Sequence, residues 1–198
     1  MTRKAPDIRV RAARATGLRG RRPTRDVNPE IGVTFLCRRW RRTIPRAGTL
    51  CRASAQAALA GHAAVARRTE LSIVLADDAM VQTLNKRYRN KNKPTNVLAF
   101  PGQSRGVRSG RGGPPCALGD VVLAFETIQA EALAGGRPMA HHLCHLVVHG
   151  VLHLLGHDHQ AARAARRMER LERDVLANIG IPDPYDAERV VKREQPRA

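Results

Sequence analysis

The stretch His149-Gly150-Val151-Leu152-His153-Leu154-Leu155-Gly156-His157-Asp158-His159 holds four of the eight histidines of a 198-residue chain. His149 and His153 are four residues apart, so on a helix they share a face, one turn from each other. Gly156 follows three residues after His153, where a helix can end with positive φ at little steric cost. Beyond that turn the chain can fold back and bring His159 to the point that His149 and His153 face. Three imidazoles with a fourth position open describe a catalytic zinc site better than a structural one, which four protein ligands close. The competing reading is a run of histidines on a buried helix or a surface patch. Three histidines at this spacing, with glycine at the turn, favour the metal.

The helix that carries them starts at Pro138 and runs to about Leu155. Upstream, Thr127 to Leu133 is a short helix ended by Gly135 and Gly136, and Leu118 to Phe125 reads as a strand. Residues 102 to 117 are rich in Gly, Pro and Arg and read as a loop. Thr95 to Phe100 is a strand whose start is set by Pro94, which disfavours helix at Lys93. Asp77 or Asp78 caps a helix through Met80, Val81 and Leu84 to about Tyr88. Glu70 to Ala76 is a strand, residues 46 to 67 hold an Ala-rich helix, and the alternation of Ile31, Val33 and Phe35 marks a first strand. Downstream, Ala161 to Asn178 is an amphipathic helix with Met168, Leu171, Val175 and Leu176 on its apolar side. Strands and helices alternate early and a run of helices follows. The expected fold is therefore α/β in the α+β sense: a single domain over residues 28–180, with a small mixed sheet of about four strands covered by helices. Residues 1–27 form a basic arm with nine Lys or Arg against Asp7 and Asp26, and residues 181–198 form a polar, loosely held tail.

The net charge of +18 points to a polyanion, nucleic acid before an anionic membrane. No apolar run approaches the ~20 residues of a membrane span. Cys37, Cys51, Cys116 and Cys144 make no Cys-x-x-Cys pair, which suits a reduced, cytoplasmic protein. Aromatics are only 3% of the chain, so the core must be built of Ala, Val, Leu and Ile. Trp40, among Arg38, Arg39, Arg41 and Arg42, is read as an edge of that core rather than as a base-stacking residue.

The His-x3-His-x2-Gly-x2-His spacing is also that of the metzincin proteases, in which a glutamate follows the first histidine and serves as general base. Here Gly150 occupies that position, so the proton acceptor of peptide hydrolysis is missing. A phosphodiester instead needs its non-bridging oxygens stabilised, and arginine does this through bidentate contacts. The basic stretch around Arg89 offers such contacts. Metal-assisted cleavage of RNA uses both features.

The same residues carry a family resemblance. His149 to His159 resembles the signature of the bacterial YbeY family, metal-dependent endoribonucleases of ribosomal RNA maturation. Tyr88-Arg89 with Lys93-Pro94-Thr95-Asn96-Val97-Leu98-Ala99-Phe100-Pro101 is similar to a second motif, and Leu118-Gly119-Asp120-Val121 to a third. The resemblance spans roughly residues 26 to 180. It implies one Zn2+ on His149, His153 and His159 and a functional cleft arginine at Arg89. It also implies a role at the ribosome or its small subunit, in 16S rRNA 3′-end processing and quality control. Ala99 stands where the family usually has serine, and His157 where it often has tyrosine.

Three neighbours of the site are read more modestly. His145, a turn before His149, is assigned a supporting or packing role. Asp158 caps the turn or orients a ligand imidazole. Cys144 sits about 140° around the helix from His149 and is not counted as a ligand. The alternative functions are a non-catalytic ribosome-assembly factor with a structural zinc, and a metallopeptidase, against which Gly150 argues.

Overall fold

Four apolar runs pair into one sheet in a computed structural model that describes residues 29–62, 69–102, 116–158 and 161–186. They are β1 (Glu30–Phe35), β2 (Thr69–Ala76), β3 (Val97–Pro101) and β4 (Cys116–Ala124), in the spatial order β1-β2-β4-β3. β1, β2 and β4 run parallel, and β3 is antiparallel to β4 at one edge. The helices are α1 (Arg39–Thr43), α2 (Ala47–Ala60), α3 (Asp78–Arg89), α4 (Phe125–Ala134), α5 (Met139–Leu154) and α6 (Ala162–Asn178). The expected mixed sheet of four strands under helices is the one found. The basic arm, most of the Gly/Arg loop, His159 and the last twelve residues lie outside the described residues.

The sheet is covered on both faces. Leu71, Ile73 and Leu75 of β2, with Val121 and Leu123 of β4, pack under α2, α5 and α6. Val74, Leu98 and Val122 point the other way and meet Met80, Val81 and Leu84 of α3. A central strand buried on both sides reads as a near-continuous apolar run, as β2 does. With few aromatics to fill volume, the layers lie close: Ala47, Ala55 and Ala58 of α2 are buried where that helix meets α5. Ten of the sixteen residues of α5 are buried, so it is a core helix. Every histidine it buries therefore needs a partner.

Trp40 is fully buried and donates from Nε1 to the carbonyl of Ala76 at 2.8 Å. Its ring meets Phe125 edge-on at 5.0 Å. Trp40 thus belongs to the core, as expected, and the basic residues around it are wound into the short helix α1, which seats this indole. Asp77 is the cap of α3, accepting from the Met80 N–H at 2.9 Å. Asp78 instead joins two helices. Its carboxylate accepts from the N–H and hydroxyl of Thr127, at 3.0 and 2.7 Å, and so ties the first turn of α4 to that of α3. β4 begins at Cys116, at the end of the stretch read as loop. The start of the tail is held rather than loose. The Pro184 carbonyl accepts from Arg137 at 3.1 Å, and the Tyr185 N–H donates to Asp183 at 2.9 Å.

Candidate functional site

α5 ends as its glycine requires. Gly156 has φ +93°. Its N–H donates to His153 O, and the His157 N–H donates to Leu152 O, both at 3.0 Å. These are the two bonds of a Schellman turn, which positive φ at the glycine makes accessible. The turn carries the His157 carbonyl back to Nδ1 of His153, 3.0 Å away. One turn earlier, Nδ1 of His149 lies 2.7 Å from Oε1 of Glu172 on α6.

A carbonyl and a carboxylate only accept, so each Nδ1 carries the hydrogen and donates. Each ring then presents its lone pair at Nε2. The two Nε2 atoms are 3.1 Å apart, with the rings nearly perpendicular at 85°. Two imidazole nitrogens on one tetrahedral zinc, at bonds of ~2.0–2.1 Å, stand about 3.3 Å from each other. The separation and the tautomers both suit a shared divalent cation. Among the described residues no set of three His, Cys, Asp or Glu is arranged to hold one metal ion. The third expected ligand, His159, lies outside those residues.

These histidines form one wall of a cleft of about 560 Å³, with His157 and Asp158 beside them. Arg89, Thr95 and Asn96 line the same cleft, as do Val97 and Ala99 of edge strand β3. Arg89 is the last residue of α3, exposed and preceded by Lys86 and Arg87 in the same turn. Asn90 ends that helix in the left-handed region at φ 56°. Buried Asn85 then donates to Lys93 O at 2.7 Å and folds the basic loop back against α3. Asn96 is also fixed: its Nδ2 lies 3.1 Å from both oxygens of Glu131, which in turn meets Nε2 of His142 at 2.7 Å. Burial holds the His142 ring below its ordinary pKa despite that carboxylate. The sequence motifs around Arg89 and His149, sixty residues apart, thus line one cleft.

Gly150 also lines the cleft, but there is no room for a side chain there. A β-carbon at Gly150 would stand 2.8 Å from Val121 Cγ1. The position that carries glutamate in zincins is here pressed onto the sheet. Cys144 is buried in the core on another side of α5.

Three groups escaped the sequence reading. Glu172 is 1% exposed and accepts from His149, from His145 Nε2 at 3.1 Å and from the hydroxyl of Tyr185. Burial works against its charge, yet the bonds from His145, His149 and Tyr185 bring the carboxyl down to about 2. His145 therefore supports the site through Glu172. A signal was present, since Glu172 falls between Met168 and Leu176 at steps of four, on the stripe an amphipathic helix buries. Nothing local marks Tyr185. His62, at the end of α2, places Nε2 3.0 Å from Nε2 of His157, a pairing across 95 residues that no motif announces. Burial first, then His62 and Arg167, lower the His157 pKa.

The family model described as Endoribonuclease YbeY matches residues 40–180. That span holds Arg89, His149, His153, His159 and Glu172, while Tyr185 lies beyond it. Endoribonuclease YbeY of Paramagnetospirillum magneticum is 48% identical over 159 residues, 80% of this chain and 97% of that protein. The protein of that name from Parvibaculum lavamentivorans is 55% identical over 137 residues, 65% of this chain and 74% of its own length. That of Rhodopseudomonas palustris strain BisB18 is 43% identical over 169 residues, 84% of this chain and 99% of its own.

Proposed function

Because this chain belongs to the YbeY family, we propose that it is a zinc-dependent endoribonuclease of the cytoplasm. Its substrate is single-stranded ribosomal RNA precursor on the ribosome or small subunit, and its roles are 16S rRNA 3′-end maturation and ribosome quality control. One observation carries the reading. The Nε2 atoms of His149 and His153, 3.1 Å apart, share a cleft with Arg89.

His149, His153 and His159 would hold the ion, with Nδ1 of the first two committed to Glu172 and to the His157 carbonyl. A bound zinc supplies Lewis acidity and a nucleophile at neutral pH. The chain supplies the rest. Arg89 offers a planar fork to the non-bridging oxygens of a phosphodiester, where charge builds up in the transition state. The exposed basic residues Lys86, Arg87, Lys91 and Lys93 beside it bind the strand through its phosphates. A cleft of about 560 Å³ lined by histidines, Arg89, Thr95 and Asn96 suits an unpaired strand rather than a duplex.

The position of Gly150 favours one competing reading, a ribosome-assembly factor with a structural zinc, since the carboxylate of zincin hydrolysis has no room there. The same contact counts against a metallopeptidase. Zinc content and cleavage of single-stranded RNA by wild type and His153→Ala, with and without chelator, test the proposal. Cleavage lost in the variant and under chelation is expected. A variant that cuts as well as wild type overturns it. One that cannot cut, yet binds ribosomes and restores rRNA processing in cells lacking the wild type, supports the assembly factor.

A further inference from the structure

We infer that Glu172 is a positioning residue that sets the tautomer and direction of His149, and that the segment ending in Tyr185 locks it from behind. The inference rests on the proposed role of His149 as a zinc ligand. Met168, Glu172 and Leu176 are all buried on one stripe of α6, so an apolar residue would pack at position 172. A buried carboxylate there is costly unless donors surround it. Three do. Oε1 accepts from His149 Nδ1, and Oε2 accepts from His145 Nε2 and from the Tyr185 hydroxyl.

The arrangement is directional. His149 occupies one carboxylate oxygen on the cleft side, and the other two donors hold the second oxygen from the far side. Rotation of the carboxylate would break two bonds to save one. Tyr185 reaches this position on a short strap. Arg137 donates to Pro184 O and the Tyr185 N–H donates to Asp183, so both ends of the peptide unit that leads into the tyrosine are held. A carboxylate behind a ligand imidazole keeps the hydrogen on Nδ1, aims Nε2 and raises the basicity of the ring. Neither His145 nor Tyr185 lines the cleft, so both act through Glu172.

Two readouts test this, and neither is RNA cleavage. Long-range proton–nitrogen NMR of the metal-free protein reports the tautomer of His149. Chelator competition reports zinc affinity. Wild type is expected to hold His149 with hydrogen on Nδ1. Glu172→Ala should lose that preference and bind zinc about 10–100-fold more weakly. Glu172→Gln keeps an acceptor for Nδ1, so the tautomer should persist while affinity falls about tenfold with the lost charge. Tyr185→Phe should weaken zinc binding by a smaller factor and broaden the His149 signal. Should Glu172→Ala fail to fold, the two milder variants decide. Wild-type affinity and tautomer in Glu172→Gln and Tyr185→Phe alike overturn the inference. A wild type that takes up no zinc overturns the proposed metal site instead, and the metal-free tautomer series still decides the positioning role.

Discussion

A β-carbon built on Gly150 would lie 2.8 Å from Cγ1 and 3.2 Å from Cγ2 of Val121, in the middle of the sheet. This contact sets how closely α5 lies on β4, and hence how near His149 and His153 come to edge strand β3. Val121 is fully buried and has nowhere to move. Gly150→Ala is expected to destabilise the fold by about 1–2 kcal/mol, overpacking of ~1–3 kcal/mol offset in part by the better helix propensity of alanine. Urea denaturation measures it, and Val121→Ala in the same chain should recover most of the loss. Gly150→Glu should cost more and bring no peptidase activity.

Arg89 is exposed at the end of α3, so its removal should leave unfolding within about 0.5 kcal/mol of wild type. Cleavage should suffer instead. Arg89→Ala is expected to lower kcat/KM about 10–100-fold, which is ~1.4–2.7 kcal/mol of transition-state stabilisation. Arg89→Lys should recover part of this, having charge without the planar fork. The salt dependence of RNA binding should flatten by about 0.7 in log–log slope for one lost phosphate contact. An unchanged slope would remove Arg89 from the strand's path.

The two aspartates at the start of α3 should differ in weight. Asp77→Ala removes one cap bond, to Met80, at a cost of about 1 kcal/mol. Asp78→Ala leaves two donors of Thr127 without their acceptor inside the fold, costing about 1–3 kcal/mol. Denaturation midpoints should rank wild type above Asp77→Ala above Asp78→Ala, and the reverse order would assign the tie between α3 and α4 no weight.

Stability in acid should report Glu172. Its carboxyl is brought from 4.5 to about 2, against the pull of burial, by bonds from His145, His149 and Tyr185. A depressed pKa in the folded state means that the folded protein holds its charge where the unfolded chain takes up a proton. The stabilisation is therefore complete above about pH 4.5 and is lost as pH falls toward 2, by about 3 kcal/mol in all. Unfolding free energies of wild type and Glu172→Gln across this window give the contribution as a difference. Parallel curves for the two proteins would contradict the bond network.

Much of the site could be read in order along the chain because its parts are local. His149, His153 and Gly156 belong to one helix and its terminal turn, and the helical repeat and the conformational freedom of glycine place them without reference to the rest of the fold. Asp77 at a helix start and the apolar run of β2 are local in the same sense. The short helix α1 was hidden because five residues rich in arginine have no apolar period; it forms around the burial of Trp40. Glu172 was half visible, as a charge on an apolar stripe, but its donors come from α5 and from the segment beyond α6.

The sequence by itself determined the α+β class, the helix with its glycine stop and the pair of histidines that face one way, since each depends on neighbours within a turn or two. Tertiary structure alone decided that β4 lies between β2 and β3, that Arg89 and His149 line one cleft, and that Gly150 is pressed against Val121. It also decided which nitrogen of each imidazole carries the hydrogen, because the acceptors that hold it, Glu172 for His149 and the His157 carbonyl for His153, arrive only when α6 packs and the turn closes. Pairings between distant segments depend on how the layers stack, and local preferences along the chain do not record that.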